Sequence, residues 1–202
     1  MIRSGVGFFL PESEVNFRAG DLIGFSGYGW VSAGINLATL GIPCWSISHV
    51  GIIGEHEGRT LLFESCFDQD APCEVTGKHF SGTQAHTLDY RLKNYPGKMW
   101  HYPLYRELYQ FERKRLNRFL RETVGTPYDQ IGAFRSGGIG FSWLESLLRQ
   151  TDLSSIFCSE WCASAHTTIG IFQTDNVSRW SPNKFIRAER RQELLLAPVR
   201  LK

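Results

Sequence analysis

In the segment SSIFCSEWCASAH (154–166), Cys158 and Cys162 stand one helical turn apart, and His166 follows one turn later. That pattern admits metal ligation, a pair of thiols packed on a helix, or one reactive cysteine whose partners come from elsewhere in the chain. Helix geometry argues against the first. Along a straight helix Cys158 and His166 would be about 12 Å apart, too far for one tetrahedral ion. Ser154 and Ser155 are good N-cap types, and small and apolar residues follow them at helical spacing, which predicts Cys158 in the first turn. There the unpaired amides and the positive helix end stabilise a thiolate, and the same amides can hold an oxyanion on an acyl substrate. Cys162 is expected to be a packed thiol and His166 a partly exposed histidine.

A thiol nucleophile needs a base within hydrogen-bond reach, and His166 is too far along the helix to serve. Of the six histidines, His56 falls in a predicted turn, His79 and His86 in an irregular stretch, and His101 among aromatics. Only His49 opens a strongly apolar strand, SHVGIIG (48–54). This run and TLLFES (60–65) are joined by the polar EHEGR, which predicts a β-hairpin. A turn centred on EHEG sets Ile53 opposite Thr60 and His49 opposite Glu64, with Cβ atoms roughly 5 Å apart. Glu64 would then accept from one ring nitrogen of His49 and leave the other for Cys158. Gly51 is expected to leave open space on that face, with Val50, Ile52, Leu61 and Phe63 supplying core on the other. A turn displaced by one residue would break this pairing.

These residues need a scaffold, and the remaining elements outline one. AGDLIGF (19–25) predicts a turn and a buried strand, GWVSAGINLATLG (29–41) a helix, and MWHYPL (99–104) a further strand. Residues 66–98 are polar and rich in turn formers, and are expected to be an irregular insertion that shapes substrate entry. In RELYQFERKRLNRFLRETVG (106–125), Leu108, Phe111, Leu116, Phe119 and Leu120 share one helical face, with Gly125 as the stop. The cations Arg113, Lys114, Arg115, Arg118 and Arg121 are expected to form its solvated face. GTPYDQIGAFRSGGIGF (125–141) is a glycine-rich connector, and SWLESLLRQ (142–150) a helix. Neither GxGxxG nor a phosphate-cradling loop occurs, and no internal repeat is visible.

Composition sets the outer bounds. A chain of 202 residues, 42% hydrophobic, fits a single domain over 1–202. With 22 basic against 20 acidic residues, the charge demands neither nucleic acid nor an anionic membrane as partner. Five cysteines at irregular spacing (Cys44, Cys66, Cys73, Cys158, Cys162) point to a reducing compartment rather than a disulfide framework. The apolar run VGFFL is cut by Pro11 and Glu12, so no signal peptide is expected. The uncharged stretch from Leu22 to Ser48 holds too many glycines and serines, together with Asn36 and Pro43, for a transmembrane segment.

GDLIGF (20–25), SHVGI (48–52), FES (63–65), GTPYD (125–129), FCSEW (157–161) and SPNKF (181–185), in that order, resemble the NlpC-type papain-like cysteine hydrolases. The order matches the circularly permuted branch, which includes YiiX-like bacterial proteins and relatives of lecithin:retinol acyltransferase. The resemblance implies an α+β, papain-like fold in which a cysteine-bearing helix packs on an antiparallel sheet. It implies Cys158 as nucleophile, His49 as base and Glu64 as its orienting carboxylate, with no metal or organic cofactor. Tyr128, in the PY position, and Ser159, beside the nucleophile, are the candidate substrate-binding residues. The implied substrates are cell-wall peptides or lipid acyl groups, with possible contact to a membrane surface or an assembly, in a cytoplasmic or virion-associated setting. The alternative is a non-catalytic structural or binding module of a larger assembly, such as a virus particle.

Overall fold

The computed structural model describes residues 16–27, 47–66, 69–127, 154–175 and 180–202. The expected helices at 29–41 and 142–150, the connector beyond residue 127 with Tyr128, and Cys44 lie outside them. The fold is α+β. Six antiparallel strands, β1 (Leu22–Ser26), β2 (His49–His56), β3 (Arg59–Cys66), β4 (Gly82–His86), β5 (Lys98–Tyr102) and β6 (Val199–Arg200), form one sheet in the order β4-β3-β2-β1-β5-β6. Among the described residues the helices are α1 (Leu88–Asn94), α2 (Gln110–Thr123), α3 (Ser154–Thr168) and α4 (Pro182–Arg191). Among the described residues, no helix is long and apolar enough to cross a membrane.

Both faces of the sheet are covered, which explains why its central strands read as nearly continuous apolar runs. On one face Leu22, Val50, Ile52, Leu61 and Phe63 pack with Leu116 and Leu120 of α2, Cys158, Trp161 and Cys162 of α3, and Phe185 of α4. On the other, Ile23, Phe25, Ile53, Leu62 and Met99 meet Leu88, Leu92 and Tyr95 from α1 and its end. Phe111, assigned to the apolar face of its helix by spacing, is instead exposed, because α2 buries only the side carrying Leu116 and Leu120. The helix does stop as expected, with Val124 at the C-cap and Gly125 at φ +84°.

The hairpin forms, but its turn sits one residue later than the sequence suggests. Glu57 and Gly58 occupy it with φ of 50° and 74°. This two-residue turn with positive φ at both positions matches the strand twist, and glycine is the residue that takes the second position freely. His56 therefore pairs with Arg59, Glu55 with Thr60 and Ile52 with Phe63, in place of Ile53 with Thr60. The same ladder sets Gly51, not His49, across from Glu64. Moving the turn by one residue changes each pairing by two, so every side chain keeps its face, and His49 and Glu64 become diagonal neighbours.

The stretch 66–98 is not irregular throughout. It contains β4, hydrogen-bonded along β3, and α1, whose N-cap Thr87 accepts from the Tyr90 amide at 3.2 Å. Asp89 in its first turn and Arg91 and Lys93 in its last complement the helix dipole. β4 has the sequence GTQAH, which lacks apolar alternation and is buried by position rather than by type.

His166 is a second departure, since it is fully buried rather than partly exposed. Its Nδ1 donates to Glu189 Oε1 at 2.5 Å and its Nε2 donates to the Gly20 carbonyl at 2.9 Å, tying α3 to α4 and to the entrance of β1. Burial pulls the imidazole pKa down, but Glu189 outweighs that and raises it above its ordinary 6.5. A raised folded-state value stabilises fully below about 6.5, and the contribution is lost as pH rises through the folded value. Glu189→Gln is expected to cost about 3 kcal/mol by denaturant unfolding near neutrality. The variant should also lose less stability than the parent between neutral and alkaline pH, which thermal unfolding across that range would measure.

Candidate active site

The motif residue Asp21 is a structural hub. It is fully buried, and its Oδ2 accepts from the Arg18 amide at 2.9 Å and from His101 Nε2 at 2.8 Å. Its Oδ1 accepts from the Leu104 amide at 2.8 Å. The GD pair thus locks the entrance of β1 to the end of β5, and His101 is spent on that lock.

His49 is the first residue of β2. Its ring tilts against Phe25 across the β1 ladder, with centroids 5.1 Å apart, and its Nε2 donates to Glu64 Oε2 at 2.8 Å. Nδ1 is the nitrogen left for Cys158, whose side chain hydrogen-bonds the imidazole. Burial lowers the His49 pKa, but Cys158 and Glu64 together outweigh it and push the pKa up to about 10. The sequence-predicted trio of Cys158, His49 and Glu64 is therefore in mutual contact through the imidazole.

Glu64 is fully buried and carries more partners than the sequence suggests. Arg91 of α1 places Nε 2.8 Å from Oε1 and donates from Nη2 to Oε2 at 3.2 Å. His86 at the end of β4 brings Nδ1 to 3.8 Å from Oε1. Burial alone would raise the Glu64 pKa, and Arg91, with His49 and His86, holds it far below the usual carboxylate range. The guanidinium in turn lies 5.6 Å from the Phe25 ring and 5.8 Å from the Tyr95 ring, in cation–π contact with both. Gly51 does not leave the expected open space. A Cβ there would lie 2.8 Å from Leu62 Cδ1, 2.9 Å from the Phe63 carbonyl and 3.3 Å from Glu64 Cβ, so the glycine is what lets Glu64 sit this close.

Cys158 departs from its predicted setting in one respect. The described part of α3 runs from Ser154, so Ser154 and Ser155 are helical rather than capping, and Cys158 is no earlier than the second turn. Its amide is therefore positioned to donate within the helix, and the expectation that it would hold an oxyanion is corrected accordingly. Cys158 is also fully buried, as is Cys162, the packed thiol the spacing predicts. Cys162 Sγ donates to the Val50 carbonyl at 3.8 Å, pinning α3 to β2, and burial raises its pKa well above the ordinary thiol value.

Ser159, a candidate substrate contact, is held by structural contacts. It is buried, and its hydroxyl donates to the Trp180 carbonyl, fastening α3 to the chain leading into α4. Tyr128, the other candidate substrate contact, lies outside the described residues. The SPN segment acts from behind the site: Asn183 Oδ1 accepts from the Ile47 amide at 2.8 Å, two residues before His49. Ser48 donates its amide to the Phe25 carbonyl at 2.8 Å, so the approach to His49 is held on both sides. Arg91, His86 and Asn183 are the site residues that sequence reasoning missed. The capped TLDYRLKN pattern could have given α1, and with it Arg91, but nothing local marks the other two. Among the described residues, no group of three or more His, Cys, Asp or Glu side chains is arranged to hold a metal ion.

No protein-family model matches this chain. No curated protein matches it either. Among solved structures, it is similar to the crystal structure of the metalloprotein yiiX from Escherichia coli O157:H7, with 18% identity, 91% of this chain and 88% of that chain covered, and a TM-score of 0.48.

Proposed function

We propose that the protein is a cysteine hydrolase of the permuted papain-like type, cleaving an amide or ester through a thioester. The observation that carries this reading is His49, hydrogen-bonded to Cys158 on one side and to the buried carboxylate of Glu64 on the other. A nucleophile, a base and an orienting carboxylate in that sequence of contacts are what acyl transfer needs.

The proton starts on His49, whose raised pKa keeps the imidazole charged at neutral pH. Cys158 Sγ attacks the carbonyl carbon, and the tetrahedral intermediate collapses as His49 gives its proton to the departing amine or alcohol. The thioester remains on Cys158 and His49 is neutral. Water then attacks the thioester while the imidazole takes one of its protons, and the acid leaves as the C–S bond breaks. Glu64 keeps Nε2 protonated and stabilises the imidazolium throughout, and Arg91 keeps Glu64 ionised. Arg91 is thus a positioning residue, two contacts removed from the reacting atoms.

The substrate class is a cell-wall peptide amide or a fatty-acyl amide or ester. A hydrolysis panel of γ-D-glutamyl peptides against fatty-acyl amides separates the two, and addition of amine or alcohol acceptors distinguishes transfer from hydrolysis. A second reading, a structural or binding module, is favoured by one observation: Cys158 has no exposed surface. Iodoacetamide labelling at neutral pH decides between them. Under the hydrolase reading Cys158 reacts faster than the buried Cys66 and Cys73, and His49→Gln removes the difference. Equal labelling of the three would favour the module.

Two predictions concern activity and its pH dependence. On whichever substrate the panel identifies, Cys158→Ala should lower kcat by about a thousandfold or more, with the parent's thermal unfolding retained. In Arg91→Met the Glu64 pKa should climb back toward its ordinary 4.5 or above. A carboxylate with a depressed pKa contributes above its ordinary value and loses that contribution as pH falls through the folded value. The acid limb of kcat/KM, or of Cys158 alkylation, should therefore move to higher pH in Arg91→Met and lie closer to the parent in Arg91→Lys. An unmoved limb in both variants would remove Arg91 from the mechanism.

A further inference from the structure

The outward face of α2 joins a stripe of cations to a group of exposed aromatic side chains. Leu116 and Leu120 point into the core, and the opposite side carries Phe111, Lys114, Arg115, Arg118 and Arg121, all exposed and each three or four residues from another of the set. Among the described residues, none of these four cations is paired with a carboxylate, whereas Arg113, on the flank, approaches Glu55 at 3.7 Å. Glu122 is the one acidic residue on the stripe. At its N-terminal end three large side chains stand open to solvent: Tyr105 at 67%, Tyr109 at 61% and Phe111 at 59% of full exposure.

Four unpaired cations spread over two helical turns fit an extended anionic surface better than a single anion, and three adjoining exposed aromatics fit an interface that is part water and part hydrocarbon. We infer that this face of α2 docks the protein on an anionic lipid surface, with Tyr105, Tyr109 and Phe111 entering the interfacial layer and the cations facing the headgroups. The aromatic geometry argues against a nucleic acid as the occupant. Tyr109 and Phe111 stack on one another at 6.0 Å with planes 12° apart, and the Arg106 guanidinium lies 4.5 Å over the Tyr109 ring. Tyr109 thus already has a cation and a neighbouring ring against it, contacts that compete with base stacking. Glu112 fixes that arrangement: it is buried, ion-paired with Arg106 at 2.6 Å, and accepts from the Tyr109 amide at 2.8 Å. The inference does not depend on the proposed hydrolase activity, because its readout is binding.

The test is co-sedimentation of the full chain with phosphatidylcholine vesicles, with and without phosphatidylglycerol. Retention is expected only with phosphatidylglycerol and should weaken as salt rises. Both the double variant Lys114→Glu/Arg118→Glu and the single variant Phe111→Ser should bind at least about tenfold more weakly. Their thermal unfolding should match the parent, since the altered side chains are exposed. Equal retention on neutral vesicles, or retention untouched by either variant, overturns the inference. So does tighter binding to a single-stranded oligonucleotide than to the anionic vesicles, or a dimer that Phe111→Ser dissolves.

Discussion

A carboxylate taken out of water must be answered by positive charge or give up its own, and the fold around β2 and β3 is arranged as the answer to Glu64. Glu64 has no exposed surface, yet its pKa lies far below the carboxylate range because Arg91, His49 and His86 converge on it. Each partner arrives from a different element, α1, the first residue of β2 and the last residue of β4. The charge balance of one side chain thereby fixes where three elements meet. The second apolar layer, with Phe25 and Tyr95 against the guanidinium, exists on the same terms: it shields Arg91 from water and gives it an aromatic face to rest on.

Among the described residues, the pairing of a histidine with a buried acid recurs as His101 with Asp21 and His166 with Glu189, and in these two the ring itself is buried as well. The three differ in what occupies the far side of the ring. His166 spends its second nitrogen on the Gly20 carbonyl, and His101 is anchored to the residue that locks β1 to β5. Both are clasps between elements. His49 has a thiol on its far side, and that difference separates a site that can exchange a proton with a nucleophile from two that hold the chain together.

How much of this is legible before folding depends on whether the signal is local. The hairpin is, because two β-branched runs flank a polar turn, and the shared face of His49 and Glu64 follows from the period of two. The exact turn is not, since His56-Glu57 and Glu57-Gly58 both read as polar pairs, and the positive φ at both Glu57 and Gly58 selects the latter. The consequence for the site is small because a two-residue change of pairing preserves the face. α1 carries a readable cap in Thr87, but its seven residues are too few for apolar periodicity to stand out from a polar stretch. The burial of His166 has no sequence signal at all: its acid lies 23 residues away on another helix, and helical spacing says nothing about contacts between elements.

The start of α3 changes where reactivity at Cys158 must come from. A cysteine in the first turn would draw on unpaired amides and the helix dipole, but both effects fade within that turn. Past the first turn of the helix, Cys158 has its amide aligned with the intrahelical ladder and its side chain against an imidazole. The burden then passes to His49, and through its Nε2 to Glu64 and Arg91. A nucleophile supported by the helix would be indifferent to a guanidinium in another layer of the fold, whereas one supported by a chain of charges cannot be. The segment 66–98, which a reading by local pattern leaves as a loop around the site, thus supplies the terminal charge of that chain.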